Sequence, residues 1–346
     1  MDSASEADWV CVLDTGSTDD TVEKLRARGA VVEQKAISPW RFDTARNESL
    51  KLIPPEADIC CCIDLDEQFH PGWRAALEQA WRPETTRVRY RYTWSFLPDG
   101  REGHVFWADK IHKNGAYRWT HPVHEVLTFT GGGRERFTEA SGVQLDHHPD
   151  PNKSRAQYLP LLELAVKEAP DDDRNCHYLG REYMFHGQWQ NAIDTLKRHL
   201  SLPTALWADE RCASMRFIAR CYRQLGRDDL AAVWFHRAIA EAPHLREPYV
   251  DYAALLYDRQ NWPGLVFMTE CALAIRERPK TYITESSAWG ALPWDYLSIG
   301  RWHLGQTAEA AEAARRALAL TPSDERLQKN LALFERTLYN QPNTLE

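Results

Sequence analysis

The sequence predicts two parts, an α/β domain on a parallel or mixed sheet over residues 1–150 and an all-α solenoid over residues 151–346. Three observations predict it. From about Asp8 to His148 short β-like runs alternate with helical patterns, in the βαβα order that builds a parallel sheet with a crevice at its carboxyl edge. From about Arg155 onward a helical periodicity takes over and repeats. Within the first part, the apolar run Ile59 to Ile63 breaks into Asp64-Leu65-Asp66-Glu67, as expected where a buried parallel strand ends and ligands collect.

The elements follow in order. Trp9 to Leu13 is a buried strand, Asp14 to Asp20 a turn, and Thr21 to Arg28 a helix that stops at Gly29, with Asp20 and Glu23 at the spacing of an N-terminal cap. A strand near Ala30 to Gln34, a helix near Thr44 to Lys51, the strand ending at Asp64 and a helix near Trp73 to Trp81 come next. Val88, Tyr90, Tyr92 and Trp94 alternate with Arg87, Arg89 and Arg91, the pattern of a half-exposed strand, and short strands are expected near His104 to Trp107, Val126 to Phe129 and Val143 to His147. In an extended segment Asp64 and Asp66 point the same way, toward one cation or polar ligand, and Leu65 points into the core.

In the second half Gly180, Tyr183, Ala192 and Leu196 precede Pro203, and Ala219, Tyr222, Ala231, Phe235 and Ala238 precede Pro243. A fainter copy ends at Pro279, and another runs through Trp294, Leu297, Gly305, Ala310, Ala314 and Ala317 to Pro322. This resembles a degenerate tetratricopeptide pattern, in which small residues permit close helix crossings. Asp324 to Leu338 reads as a terminal capping helix.

Composition narrows the classes. A formal charge of −8 disfavours a sequence-blind grip on nucleic-acid phosphates. The 8 cysteines include three in a row and form no Cys-x-x-Cys pair, which disfavours structural zinc and a redox dithiol. No apolar run reaches the roughly 20 residues of a membrane span, and Met1 to Glu6 lacks a basic and apolar leader, so a soluble cytoplasmic protein is expected. The 14 Trp and 13 Tyr suit either carbohydrate stacking or helix packing, and composition does not choose.

Four segments in order, Val12 to Thr21, Phe42 to Leu50, Asp64 to Glu67 and His121 to Glu125, carry a resemblance to the inverting family 2 glycosyltransferases of the GT-A fold, in the branch with C-terminal tetratricopeptide repeats. The resemblance implies a GT-A-like, Rossmann-like N-terminal domain. It also implies transfer of a hexosyl group from a nucleoside-diphosphate sugar, a UDP-sugar favoured, to a peptide, protein or glycan acceptor. Members open with another strand and helix, whereas eight residues precede Trp9, so the first strand of the nucleotide half-site is expected to be missing.

By the same resemblance Asp14, Arg46 and Asp64 bind the nucleotide sugar, and Asp66 ligates Mn²⁺ or Mg²⁺, neutralising the departing diphosphate. A turn aspartate and a solvated helix charge are the ordinary readings of Asp14 and Arg46. His124 and His148, with His147, are candidates to complete the metal site. Glu125, then Asp109, is the candidate general base for the acceptor proton. Trp119 stacks on sugar or acceptor, or else sits in the core. The repeats would bind acceptor or form a homodimer. Two alternatives stand beside this: an inactive transferase-like domain supporting a protein-binding repeat scaffold, and sugar transfer to modified nucleic acid, which the acidic charge opposes.

Overall fold

The structure, a computed structural model, describes residues 1–97, 99–149 and 157–340. It divides into two compact units, Met1–Pro170 with Lys280–Tyr282, and Asp171–Pro279 with the chain from Ile283 onward. The expected boundary at 150–151 and the helical onset at Arg155 lie outside the described residues.

In the first unit the elements form close to where the pattern places them: β1 (Cys11–Asp14), α1 (Thr21–Ala27), β2 (Val31–Gln34), α2 (Phe42–Leu50), β3 (Ile59–Cys61), β4 (Glu67–Phe69), α3 (Trp73–Ala80), β5 (Arg87–Thr93), β6 (Val105–Lys113), β7 (Tyr117–Thr120), β8 (Val126–Phe129), β9 (Phe137–His147) and α4 (Tyr158–Glu168). Their pairing corrects the expected architecture. β1 and β2 make a parallel two-stranded sheet of their own, and β3 joins a different, mixed sheet of order β3-β6-β5-β9-β4, where it runs antiparallel to β6. β5 lies at the centre, antiparallel to β6 and parallel to β9. A continuous Rossmann-like parallel sheet of the GT-A kind is therefore not what these strands build.

The alternation in β5 has the expected consequence. Val88, Tyr90 and Tyr92 are buried and pack with Ile111 of β6, Val143 and Leu145 of β9, and Trp73 and Leu77 of α3. The start of α3 is capped from a distance, as the Glu6 carboxylate accepts from the Gly72 and Arg74 amides at 2.6 and 3.0 Å. Asp20, expected to cap α1, instead pairs with Lys24 at 2.7 Å, and Asp19 accepts from the Thr21 amide at 3.1 Å.

The second unit stacks antiparallel helix pairs: α5 (Asp173–Phe185) with α6 (Trp189–Ser201), α7 (Ala208–Gln224) with α8 (Asp228–Glu241), α9 (Glu247–Asp258) with α10 (Trp262–Ala274), then short α11 (Ser286–Trp289), α12 (Leu292–His303) with α13 (Thr307–Leu320), and the last helix α14 (Glu325–Asn340). Each pair turns on one left-handed residue: Gly187, Gly226, Gln260 and Gly305. These turns fix one register. Seven residues before them stand Gly180, Ala219, Ala253 and Ser298, five after stand Ala192, Ala231, Leu265 and Ala310, and nine after stand Leu196, Phe235, Thr269 and Ala314, all buried. The small first position lets the helices touch: a Cβ on Gly180 would fall 2.5 Å from Leu196 Cγ. The second unit is thus a run of tetratricopeptide-like repeats, as the small-residue pattern predicts.

The turns stand 39, 34 and 45 residues apart. The third pair, α9 with α10, has the usual tetratricopeptide spacing, yet it reads faintly in the sequence because Gln260 occupies the left-handed position usually held by glycine. The widest interval holds a segment, 275–291, that carries α11 and lies outside the helix pairs.

Candidate functional site

Two arrangements of charge stand out, one in each unit. In the first, Asp64, Leu65, Asp66 and Glu67 form a turn closed by the Glu67 amide donating to Asp64 O at 3.0 Å. Alternation ends with the strand, and Leu65 in this turn is 86% exposed rather than in the core.

Asp64 is the hub. Arg46, projecting from α2, donates to Asp64 Oδ1 at 2.7 Å and through Nε to Glu125, while its guanidinium lies 4.7 Å from the centre of the Trp119 ring. Lys110 of β6 reaches Asp64 Oδ2 at 3.1 Å and Glu67 Oε1 at 2.7 Å. Glu67, buried, also accepts from Tyr92 Oη at 2.7 Å and from the Asp64 amide at 2.8 Å. Burial alone would raise the Asp64 carboxyl, but Lys110 and Arg46 outweigh it and hold it well below the usual carboxylate range. Burial likewise would lower Arg46 and Lys110, and the facing carboxylates keep both firmly charged.

The cluster unites four of the expected residues, Arg46, Asp64, Glu125 and Trp119, the last a buried platform that packs with Tyr117 and Leu127. Lys110 and Tyr92 join it without a sequence signal beyond their place on strands; a lone lysine in a strand reads as surface. Asn47, also unforeseen, bonds both the Trp119 amide (2.9 Å) and carbonyl (2.8 Å), fixing α2 to β7.

The other expected residues lie elsewhere. Asp14 closes β1, where its carboxylate accepts from the Ser17 amide at 3.2 Å and from Gln34 Nε2 at 3.3 Å, and the Ser17 and Gln34 bonds overcome burial to lower its pKa. Asp109 pairs with Arg87 at 2.9 Å. His124 stacks on Tyr158, and the exposed His148 stacks on Phe96 while its amide donates to Asp66 O at 2.7 Å. The histidine beside the Asp66 carboxylate is His147, with Nε2 3.5 Å from Oδ2.

Among the described residues Asp66, His124 and His148 are not brought together as a metal triad. Nor does Asp64 suit Mn²⁺ or Mg²⁺, because its oxygens already face two cations and the Lys110 ammonium bridges Asp64 and Glu67 where a hard ion would bridge them. The residues present do not fit the expected metal.

Beneath the cluster Cys60 to Cys62 run beside β6, and burial pushes the Cys62 thiol up to about 11. All 8 cysteines are free. Cys62 Sγ lies 3.7 Å from Nε2 of His112, a buried histidine whose pKa is lowered by burial. The unfolded chain, near 6.5, therefore takes this proton more readily than the folded one. Stability is expected to be level above about pH 6.5 and to fall as pH drops below it, by up to about 1.4 kcal/mol per pH unit. Urea midpoints at pH 7.5 and 5.5 check this, and His112→Gln should reduce the difference without removing it, because burial pushes the His177 pKa down to about 3 and adds a fall of the same sign.

In the repeat unit the arrangement is a pair of arginines on α7. Arg216 is 1% exposed, and its Nη2 donates to Glu285 Oε1 at 2.9 Å, while Arg220 Nη2 donates to Glu285 Oε2 at 2.7 Å. Asp251 of α9 braces both, accepting from Arg216 Nε at 2.9 Å and from Arg220 Nη2 at 2.7 Å. Burial would raise the Glu285 carboxyl, but the two guanidiniums outweigh it and hold it at about 2.

Glu285 belongs to the segment outside the helix pairs, and first helices of the repeats hold that segment by several contacts. Its amide donates to Glu247 Oε1 at 3.0 Å, Trp289 Nε1 donates to the same oxygen at 2.9 Å, and Arg246 Nε donates to Ile275 O at 2.8 Å. Ile283 packs against the cluster containing Phe217 and Ile218. An irregular stretch thus lies on α7 and α9, gripped at a carboxylate, at a backbone carbonyl and through an apolar side chain.

No family model matches the chain, and no curated protein matches it. Similar solved structures include the Cut9–Hcn1 tetramer of the APC/C (15% identity, 53% of this chain and 33% of that one, TM-score 0.42) and yeast Tom70 (14%, 55% and 37%, TM-score 0.41). The C-terminal part of a TPR repeat-containing protein from Cytophaga hutchinsonii is also similar (14%, 54% and 69%, TM-score 0.43). This chain spans about a third of the Cut9–Hcn1 chain it matches. The strand pairing, a separate two-stranded parallel sheet beside a mixed sheet in which β3 runs antiparallel, is not the GT-A domain that the resemblance to family 2 glycosyltransferases implies, and it corrects that expectation.

Proposed function

We propose that the repeat unit is a protein-binding scaffold whose α7 and α9 face takes a protein segment that presents a carboxylate, with Arg216 and Arg220 as its carboxylate clamp. The observation that carries this is Glu285, whose two oxygens are each held by one of these arginines. Two guanidiniums converging on one carboxylate make a directional, charge-assisted grip. Repeat arrays offer such surfaces along their stacked helices. Here the chain's own segment occupies the clamp, so an outside protein segment must compete with a tethered one at millimolar effective concentration.

Fluorescence anisotropy with a labelled peptide of residues 275–291 tests it. Glu285→Ala weakens the tethered occupant, and this variant is expected to bind the peptide at least about tenfold more tightly than the wild type, since the internal competitor loses its hold. Equal, undetectable binding by both proteins removes the reading.

A second reading is favoured by one observation, the convergence of Arg46, Lys110, Asp64 and Glu125 in the first unit. The diphosphate of a UDP-sugar would take Arg46 and Lys110 from Asp64, and Glu125 would accept the proton of an attacking peptide, protein or glycan hydroxyl. Thermal unfolding with UDP, with and without Mn²⁺, decides: a rise in midpoint that Lys110→Ala abolishes supports it, and no rise under either condition removes it.

Among the described residues no helix is long and apolar enough to cross a membrane.

A further inference from the structure

Three consecutive helices of the repeat unit bring together groups that neither reading uses. Asp173 opens α5, His199 lies in the last turn of α6 and Glu210 lies in the first turn of α7. The end of α6 and the start of α7 are only a short turn apart, and α5 packs against α6, so the three side chains meet where these ends adjoin. One ligand atom from each lies within 4.8 Å of the other two. His199 and Glu210 are buried, and Asp173 is half-buried.

The two nitrogens of His199 are used differently. Nδ1 is 2.9 Å from Ser214 Oγ, which in turn is 2.7 Å from His177 Nδ1. Nε2 is fully buried without a hydrogen-bond partner among the described residues, and it faces Glu210 Oε1 at 3.4 Å. A buried imidazole nitrogen aimed at a carboxylate, outside hydrogen-bonding geometry and with a second carboxylate at hand, is costly to leave so. One cation between the three would satisfy that nitrogen.

We propose that Asp173, His199 and Glu210 bind a divalent first-row transition ion such as Zn²⁺, with His199 Nε2 as the nitrogen ligand and the two carboxylates as oxygen ligands. Imidazole favours such ions over Mg²⁺ or Ca²⁺, and three protein ligands are a common complement for zinc with one position left open. Ser214 supplies the outer contact that holds the ring, bonding the nitrogen that does not face the metal. The ion would tie the first helix pair to the second, joining α5, α6 and α7 at one point. This site is independent of the peptide clamp on Arg216 and Arg220.

The test uses the full chain, stripped with a chelator and titrated with Co²⁺, whose visible d–d absorption reports nitrogen and oxygen ligation, and with Zn²⁺ while thermal unfolding is followed. The wild type is expected to bind one Co²⁺ per chain, and Zn²⁺ to raise its unfolding midpoint. Asp173→Asn, at the half-exposed start of its helix, and Glu210→Gln, of equal size, are expected to weaken Co²⁺ at least about tenfold, and Ser214→Ala by about 10–100-fold. Circular dichroism of Asp173→Asn establishes that the variant is folded. A wild type that shows no d–d band at millimolar Co²⁺, or a band that Asp173→Asn and Glu210→Gln both keep at unchanged affinity, overturns the site.

Discussion

Arg216→Ala is expected to lower the stability of the repeat unit by about 3–5 kcal/mol, the cost of removing one partner from a buried ion cluster. Arg216 is among the largest fully buried side chains, and Asp251 and Glu285 both lean on it. Without it two carboxylates converge on Arg220 alone, in a place where water reaches them poorly. Arg216→Lys should recover little, since a single ammonium cannot fork to two carboxylates as a guanidinium does. Adding Asp251→Asn to Arg216→Ala should restore part of the loss, because the two positions share one network and their effects are not additive. Urea unfolding followed by the far-ultraviolet signal measures all three; a loss below about 1 kcal/mol would place Arg216 outside the energetics of the fold.

The second large effect is expected at Phe235→Ala, about 3–5 kcal/mol for deleting a fully buried aromatic ring. Phe235 fills the position nine residues after the Gly226 turn and packs with Ala219, Ala231 and Leu255, its ring 5.7 Å from that of Tyr252. In a stack of repeats each pair leans only on its neighbours, so the damage should be local. Hydrogen exchange should show amides of α8 and α9 losing protection while those of α13 keep theirs. A uniform loss across the unit would mean that the pairs do not form the independent register described above.

Much of this register is legible in the residues, because the rule behind it is local. A small residue where two helices cross, a bulky one a turn later and glycine at the left-handed turn recur at fixed offsets, and steric fit enforces them. The third pair shows the limit: with Gln260 in the turn its spacing of 34 is hidden, although Ala253, Leu265 and Thr269 hold the same buried places. Likewise the alternation at Val88, Tyr90 and Tyr92 reveals a strand with one buried face.

What the residues do not reveal is which strand lies beside which. An apolar run such as Ile59 to Ile63 fits a parallel or an antiparallel neighbour equally well, and the expectation of a parallel sheet fails at β3, where β6 pairs antiparallel. Leu65 is placed wrongly for a related reason. Putting it in the core assumes an extended backbone, and the chain turns there instead. Arg46, Asp64 and Glu125 were legible as charged residues in suggestive company. Lys110, which takes the place a cation would have had, was not, because its partners come from distant parts of the chain. The same holds for Arg216 and Glu285, separated by 69 residues and joined only by the fold.

The central claim is that the α7 and α9 face recognises a carboxylate on a protein segment. A charge exchange tests it most directly. Against peptides of residues 275–291 carrying either Glu or Lys at the position of Glu285, anisotropy should show the Glu285→Ala protein preferring the Glu peptide. Adding Arg220→Glu to that protein should reverse the order. The same ranking of the two peptides before and after the exchange would contradict the account.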